Sequence, residues 1–512
     1  MRQSKQFCGW LLLGLFVRMV NTSAGADNFT FSNTPGKDAV GFRVVLQYDY
    51  SRSYQGKIDV TGKPSQGERA RPIQTLIWYP VQGGETTHVT FADYLELLTT
   101  QENFKQTPEV AAGILAPIKK DFSAALSTEM WAIKDAPAKP GSFPVIIYAP
   151  SFNAPAFENA DLCEYLASNG YLVVASPSLG ARPLGMTDNL EGAEAQARDI
   201  SFLIGFARTI PQADCSEIAV AGFSWGGIAN FLAAAQDSRI TALVALDGSV
   251  RYHAKTVKDA TYLQLANLGL TILFFTQKEM TLEEIARDKT EPKDDALNDL
   301  VHCDLWIARM HEMVHGAFAS FSQRSDSLTA DWYNDQVTPQ VVSTSYSWVA
   351  RYTLEFLNAY LKHDSASMDF LKNPVTKNGA PPLIMDIEHH EGVGIPPSIS
   401  DFAPKVAARG FDHAAEVYSE QHASDPSFRI EEQQLIGWAD ALSNISNFKD
   451  AITLLKSTVS IYPDSWLAYA DLGDTYHAIG DNDSAIKSYK TAIEKNPTNK
   501  YLKSQLKMLQ KQ

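Results

Sequence analysis

Gly222-Phe223-Ser224-Trp225-Gly226 sets a serine hydroxyl between two glycines, after the apolar run Ile218-Ala219-Val220-Ala221 and ahead of a small-residue helical pattern. Strand, sharp turn and helix in that order are what a nucleophilic serine needs, because the turn presents Oγ at the edge of a sheet. Gly222 and Gly226 lack the Cβ atoms that would collide where such a turn folds back on itself. A serine hydroxyl is a poor nucleophile until a base takes its proton and an acid orients that base. Asp247 ends the next apolar run, Ala242 to Leu246, and is the favoured acid; Glu279, after the run Thr271 to Phe275, is the alternative. His315, in His315-Gly316-Ala317-Phe318, reads as a loop entering a helix and is the candidate base. His253 follows the acid too closely, and His302 precedes its strand. The order serine, acid, histidine is the one such a sheet requires.

The same histidine closes a second pattern. His311-Glu312-Met313-Val314-His315 is a HExxH string, which on a helix would present two zinc ligands beside a glutamate base. A zinc peptidase is therefore the alternative chemistry, and a non-catalytic scaffold that binds partners through its C-terminal part is a third reading. Against zinc, the string follows a strand directly, lacks a third ligand at short spacing and leaves Ser224 without a purpose. The sequence thus predicts a hydrolase with no metal and no cofactor.

These residues need a frame. Phe42 to Tyr48 and Thr75 to Pro80 read as strands, and helical periodicity runs through Tyr94 to Leu98 and Ile114 to Leu126. That helical insertion, 91–133, precedes the central strands and could form a lid over a cleft or a passive side layer. Strand-type runs then alternate with helical stretches. The runs are Val145 to Tyr148, Tyr171 to Ala175, Ile218 to Ala221, Ala242 to Leu246, Thr271 to Phe275 and Asp304 to Ala308. Continuous apolar strands alternating with helices predict a mostly parallel sheet covered on both faces. With the serine turn in place, the predicted fold is an α/β-hydrolase sheet over 38–372.

A Pro-rich connector, 373–400, contains Ala380-Pro381-Pro382 and Ile395-Pro396-Pro397, and the chain then turns helical over 401–512. Ala451 and Ala485, Leu455 and Tyr489, and Pro463 and Pro497 each stand 34 residues apart, the tetratricopeptide period. The first copy carries Ala439 and Ser446 where glycines are expected, and Ala414 to Asp425 reads as a degenerate third unit. Such repeats predict a protein partner or self-association.

The chain has 512 residues, 45% of them hydrophobic and 20% charged, so it can bury a sizeable core. A net charge of −15 argues against nucleic acid and anionic membrane surfaces as partners. Arg2 and Lys5 followed by the short apolar run Cys8 to Val17 and small residues to Ala26 read as a cleaved export signal, 1–26. That run is too short to anchor the chain in a bilayer. The expected product is secreted or periplasmic, with Cys163, Cys215 and Cys303 too few and too odd in number for a disulfide framework.

Taken together, Gly222-Phe223-Ser224-Trp225-Gly226-Gly227, Ala245-Leu246-Asp247, Leu273-Phe274-Phe275 with Glu279, and Val314-His315-Gly316-Ala317-Phe318-Ala319-Ser320-Phe321 form a recognisable set. Over about Val40 to Leu361, with Trp78-Tyr79-Pro80 and Gly141-Ser142-Phe143-Pro144, the chain resembles α/β-hydrolases of the platelet-activating-factor acetylhydrolase and dienelactone hydrolase-like type. The resemblance implies an acid after the strand that follows the serine helix, which matches Asp247. It also implies an oxyanion hole from the backbone N–H groups of Trp225 and Phe152. Relatives usually carry a His-Gly pair where this chain has Pro150-Ser151, and Pro150 has no N–H to give. The implied activity is calcium-independent hydrolysis of short or oxidised acyl esters, of phospholipid type or smaller.

Overall fold

The apolar runs become strands whose alternate side chains enter two different cores. In the third of the central strands, Ala219, Ala221 and Phe223 face one core while Ile218 and Val220 face the other. Val244 and Leu246 against Leu243 and Ala245 repeat the pattern one strand away, as do Leu273 and Phe275 against Ile272 and Phe274. Burial on both faces is why these strands read as continuous apolar runs rather than alternating ones.

In this computed structural model the described residues are 29–510, apart from 60, 84–86, 184, 281–283, 286–292, 294, 334–336, 395–398 and 426–427. The expected export signal and the Ile395-Pro396-Pro397 part of the connector lie outside the described residues. The strands are β1 (Ala39–Ser53), β2 (Ala70–Val81), β3 (His88–Thr90), β4 (Glu129–Lys134), β5 (Phe143–Ala149), β6 (Leu172–Ala175), β7 (Ala213–Phe223), β8 (Ile240–Leu246), β9 (Thr271–Thr276), β10 (Asp304–Met310) and β11 (Met385–His390). They form one 11-stranded sheet in the order β11-β10-β9-β8-β7-β5-β6-β2-β1-β4-β3. From β6 across to β10 every pairing is parallel. The flanks turn antiparallel: β2 against both β6 and β1, β3 against β4, and β11 against β10. This is an α/β-hydrolase sheet.

Helices α1 (Phe91–Glu96) and α2 (Pro108–Asp121) make up the helical insertion, and α3 (Ala160–Ser168), α4 (Leu190–Ala207) and α5 (Trp225–Ala234) follow the central strands. Two details differ from the sequence reading. The end of the expected insertion is a strand, β4, whose Val40–Ala132 register joins it in parallel to β1. The expected connector contains β11, in which Met385 and Ile387 pair beside β10. Both segments are short and lie near a sheet edge, where few apolar positions are needed and the period-two signal is weak. Helix α1 is fixed in place: Tyr94 is fully buried and its hydroxyl accepts from Trp78 Nε1 at 2.7 Å and donates to Glu164 Oε1 at 2.6 Å.

The chain divides into two units, residues 1–392 and 393–512. In the second, helices Glu432–Asn444, Phe448–Ile461, Trp466–Ala478, Asn482–Lys495 and Lys500–Leu509 follow one another with short turns. Gly480 takes φ +82°, and Ser446, 34 residues earlier, takes φ +63°, so the turn geometry repeats even where the glycine does not. At Gly473 a Cβ would meet the Tyr489 ring at 2.7 Å, which accounts for a glycine at that packing position. Cys163, Cys215 and Cys303 are free thiols. Among the described residues no helix is long and apolar enough to cross a membrane.

Candidate active site

Strand β7 runs straight into Ser224, which takes φ +52° and ψ −114° before α5 begins at Trp225. A non-glycine residue in that region costs about 1–3 kcal/mol unless its surroundings over-determine it. Here they do. Ser224 N donates to Leu246 O at 3.1 Å, while Ser224 O accepts from Gly227 N at 2.9 Å and Ser249 N at 2.8 Å. The flanking glycines are a matter of space: a Cβ at Gly226 would lie 2.0 Å from Ala149 O. One at Gly227 would lie 2.5 Å from the Gly248 Cα, in the loop that carries the candidate acid.

Asp247 leaves the end of β8, also at positive φ (+44°), and is wholly buried. His315 opens a short 3-10 turn, His315–Phe318, beyond β10. Its Nδ1 lies 2.6 Å from Asp247 Oδ2 and its Nε2 2.8 Å from Ser224 Oγ. Ionised Asp247 can only accept, so the Nδ1 carries the proton and Nε2 is left to accept from the serine hydroxyl. Ser224, Asp247 and His315 are thus brought together in the order the sequence suggests. Glu279 is exposed and takes no part in this chain of hydrogen bonds.

Two residues that sequence reading missed complete the acid's surroundings. Tyr252 Oη donates to Asp247, 3.0 Å from each carboxylate oxygen, and accepts from Gln277 Nε2 at 2.9 Å. Gln277 N donates to Asp247 Oδ1 at 3.3 Å, and its Oε1 accepts from His315 N at 2.9 Å. Gln277 therefore ties the acid to the histidine turn. Burial, with the Asp247 charge beside it, pushes the Tyr252 hydroxyl well up, so it stays a neutral donor. Only their positions just beyond the ends of β8 and β9 could have marked these two residues.

Trp225 N and Phe152 N have no acceptor among the described residues. The first is an N-terminal amide of α5, where intrahelical partners are absent by construction. Phe152 follows Pro150, whose carbonyl accepts from Gln196 Nε2 at 2.7 Å, and its ring meets Trp225 edge to face at 5.5 Å. His253 also packs edge to face with Trp225 at 5.0 Å, and burial pushes its imidazole down, toward the neutral form.

The HExxH string is not helical. His311 to Val314 leave β10 as turn and coil, so the two histidines do not share a helix face. His311 Nε2 instead lies 3.2 Å from Asp386 Oδ2 of β11. Among the described residues no group of three or more His, Cys, Asp or Glu is arranged to hold a metal ion.

Residues 119–259 match the family model described as chlorophyllase, a stretch that includes Ser224 and Asp247 and ends before His315. Residues 446–509 match a tetratricopeptide-repeat model. No curated protein matches the chain. Among solved structures, a ferulic acid esterase from Streptomyces cinnamoneus is 18% identical, with a TM-score of 0.45, over 65% of this chain and 93% of that one. The chain therefore joins an α/β-hydrolase unit, chlorophyllase-like at its centre, to a C-terminal tetratricopeptide-repeat region.

Proposed function

We propose that this protein is a serine carboxylic-ester hydrolase that works through an acyl-enzyme on Ser224. The observation that carries the reading is the chain of hydrogen bonds from Ser224 Oγ to His315 Nε2 and from His315 Nδ1 to Asp247, at 2.8 and 2.6 Å. The chlorophyllase match over residues 119–259 supports ester hydrolysis as the reaction class.

His315 takes the hydroxyl proton as Ser224 attacks the ester carbonyl, and Asp247 stabilises the imidazolium that results. The tetrahedral oxygen is received by Trp225 N–H and Phe152 N–H, each such donor being worth about 3 kcal/mol of barrier. His315 then protonates the leaving alcohol, and the acyl group stays on Ser224. Water, deprotonated by His315, attacks the acyl-enzyme and releases the acid, restoring the serine. No metal is needed at any step, and the resemblance to acetylhydrolases favours short acyl chains.

Turnover of a series of p-nitrophenyl esters from acetyl to palmitoyl in the presence of EDTA tests the reading. It predicts turnover that is insensitive to the chelator and fastest for the shortest chains. Preference for long chains contradicts the substrate assignment; no turnover of any ester contradicts the enzyme assignment.

A further inference from the structure

The loop after β5 and the turn after β10 are far apart in sequence, yet one buried carboxyl group connects them. Glu158 is wholly buried between the two. Its Oε2 accepts from Ser151 N at 2.8 Å and from Tyr148 Oη at 3.3 Å, and its Oε1 accepts from Ser151 Oγ. The next residue, Asn159, continues the network. Its Nδ2 donates to Tyr148 Oη at 2.5 Å and Phe318 O at 3.0 Å, and its Oδ1 accepts from Ser320 N at 2.9 Å and Tyr346 Oη at 2.7 Å. Phe318 closes the turn that His315 opens. Phe321 N also donates to the Glu158 carbonyl at 3.0 Å.

Resting on the esterase reading for the identity of the reaction, we propose that Glu158 is a positioning residue that fixes the Ser151–Phe152 peptide and, through Asn159, holds it in register with the His315 turn. Ser151 is gripped at both its N–H and its hydroxyl, so the peptide bond that follows, which carries the Phe152 N–H, has little freedom left. Pro150 makes this grip more necessary. Its carbonyl is held by Gln196 Nε2, but lacking an N–H it cannot donate a hydrogen bond of its own to the loop.

Among the described residues no cation touches the Glu158 carboxyl group, and a buried carboxylate without a cation is costly. Burial raises the Glu158 carboxyl to about 7, opposed by the Ser151 and Tyr148 hydrogen bonds and the nearby His315. The ionisable groups that act on Glu158 are Tyr148 on β5 and His315 beyond β10, and behind Tyr148 stand Cys163 and Tyr346, the latter on the helix Pro339–Leu361 beside Asp161 and Arg324. Arg324 is bound by Asp161 through two hydrogen bonds of 2.8 and 2.9 Å, and burial pushes Tyr148 and Tyr346 far up, so both stay neutral. Protonation at Oε1 would reverse its bond to Ser151, with the carboxyl O–H donating to Ser151 Oγ, and would weaken the charge-assisted grip of Oε2 on Ser151 N–H.

The full chain and its Glu158→Gln variant are compared in two ways. In steady-state hydrolysis of p-nitrophenyl acetate, protonation of Glu158 steepens the acid-side fall of wild-type log kcat/KM. Glu158→Gln makes that limb shallower and lowers kcat about tenfold with KM unchanged, short of the 10²–10³-fold expected for losing an oxyanion donor outright. In hydrogen exchange at neutral pH, the variant loses amide protection both at 151–153 and at 315–321. An unchanged acid limb with unchanged kcat, or exchange confined to the first segment, overturns the proposal. Exchange reports on the coupling whether or not the protein turns over esters, so an inactive wild type would refute the esterase reading alone. Ser151→Ala, a smaller change, should raise exchange at 315–321 as well; no effect there also overturns it.

Discussion

Asp247 earns its role from what surrounds it rather than from its place in the chain alone. It is wholly buried, yet every direction is answered: His315 Nδ1–H at 2.6 Å, Tyr252 Oη at 3.0 Å and Gln277 N at 3.3 Å. Oδ2 so placed accepts from Nδ1–H and holds one imidazole tautomer. Replacing Asp247 by Asn is therefore predicted to leave the fold intact and lower kcat by about 10⁴-fold through the wrong tautomer. Glu279→Gln should leave kcat within about twofold, as an exposed surface change. Equal losses in the two variants, read in the same ester assay, would contradict the assignment of the acid. Ser224 and His315 were legible because their residue types and neighbours are distinctive. Tyr252 and Gln277 were not, since a tyrosine and a glutamine beyond a strand carry no spacing signal until the strands are paired.

At the scale of elements, α3 is buried on every side, its apolar residues in the core and its acidic ones met by tertiary partners. Asp161 and Glu164 lie three residues apart on it, a spacing that puts their side chains on one face, and Glu158 stands just before its start. Asp161 binds Arg324 beyond β10, and Glu164 binds Tyr94 of α1 and, at 2.7 Å, the amide of Trp131 on β4. The insertion is thus tied to the core through Glu164, and burial raises that carboxyl to about 8. The sign of the resulting pH dependence follows. Between the ordinary carboxylate range and about 8 the folded state holds a proton that the unfolded chain has lost, so stability contributed by Glu164 falls as pH rises through that window. Chemical denaturation of the full chain should give a midpoint for the catalytic unit that drops from pH 5 to pH 8, with a shallower drop in Glu164→Gln. A variant with the same pH dependence as the wild type would contradict this. Sequence reading gave the alternation of strands and helices but could not see this face. Acidic residues in a helix are ordinarily solvent-facing, and only the tertiary partners Tyr94, Trp131 and Arg324 turn them inward.

At the scale of the whole molecule, the central parallel strands and the 34-residue period were readable because each imposes a long, regular pattern on residue type. The flanking strands β3, β4 and β11 were harder, being three to six residues long and bounded by turns that look like linkers. The sheet's main consequence is to bring three loops, after β7, β8 and β10, to one edge, so that residues 224, 247 and 315 meet. If that meeting makes an activated nucleophile, one serine among the many in the full chain should stand apart in reactivity. The most direct test is the intact mass of the full-length protein after brief treatment with a fluorophosphonate, followed by peptide mapping. A single adduct is expected, on Ser224, formed in step with loss of ester turnover and absent from Ser224→Ala. A folded protein that takes up no label, or one labelled equally well after Ser224→Ala, would contradict it.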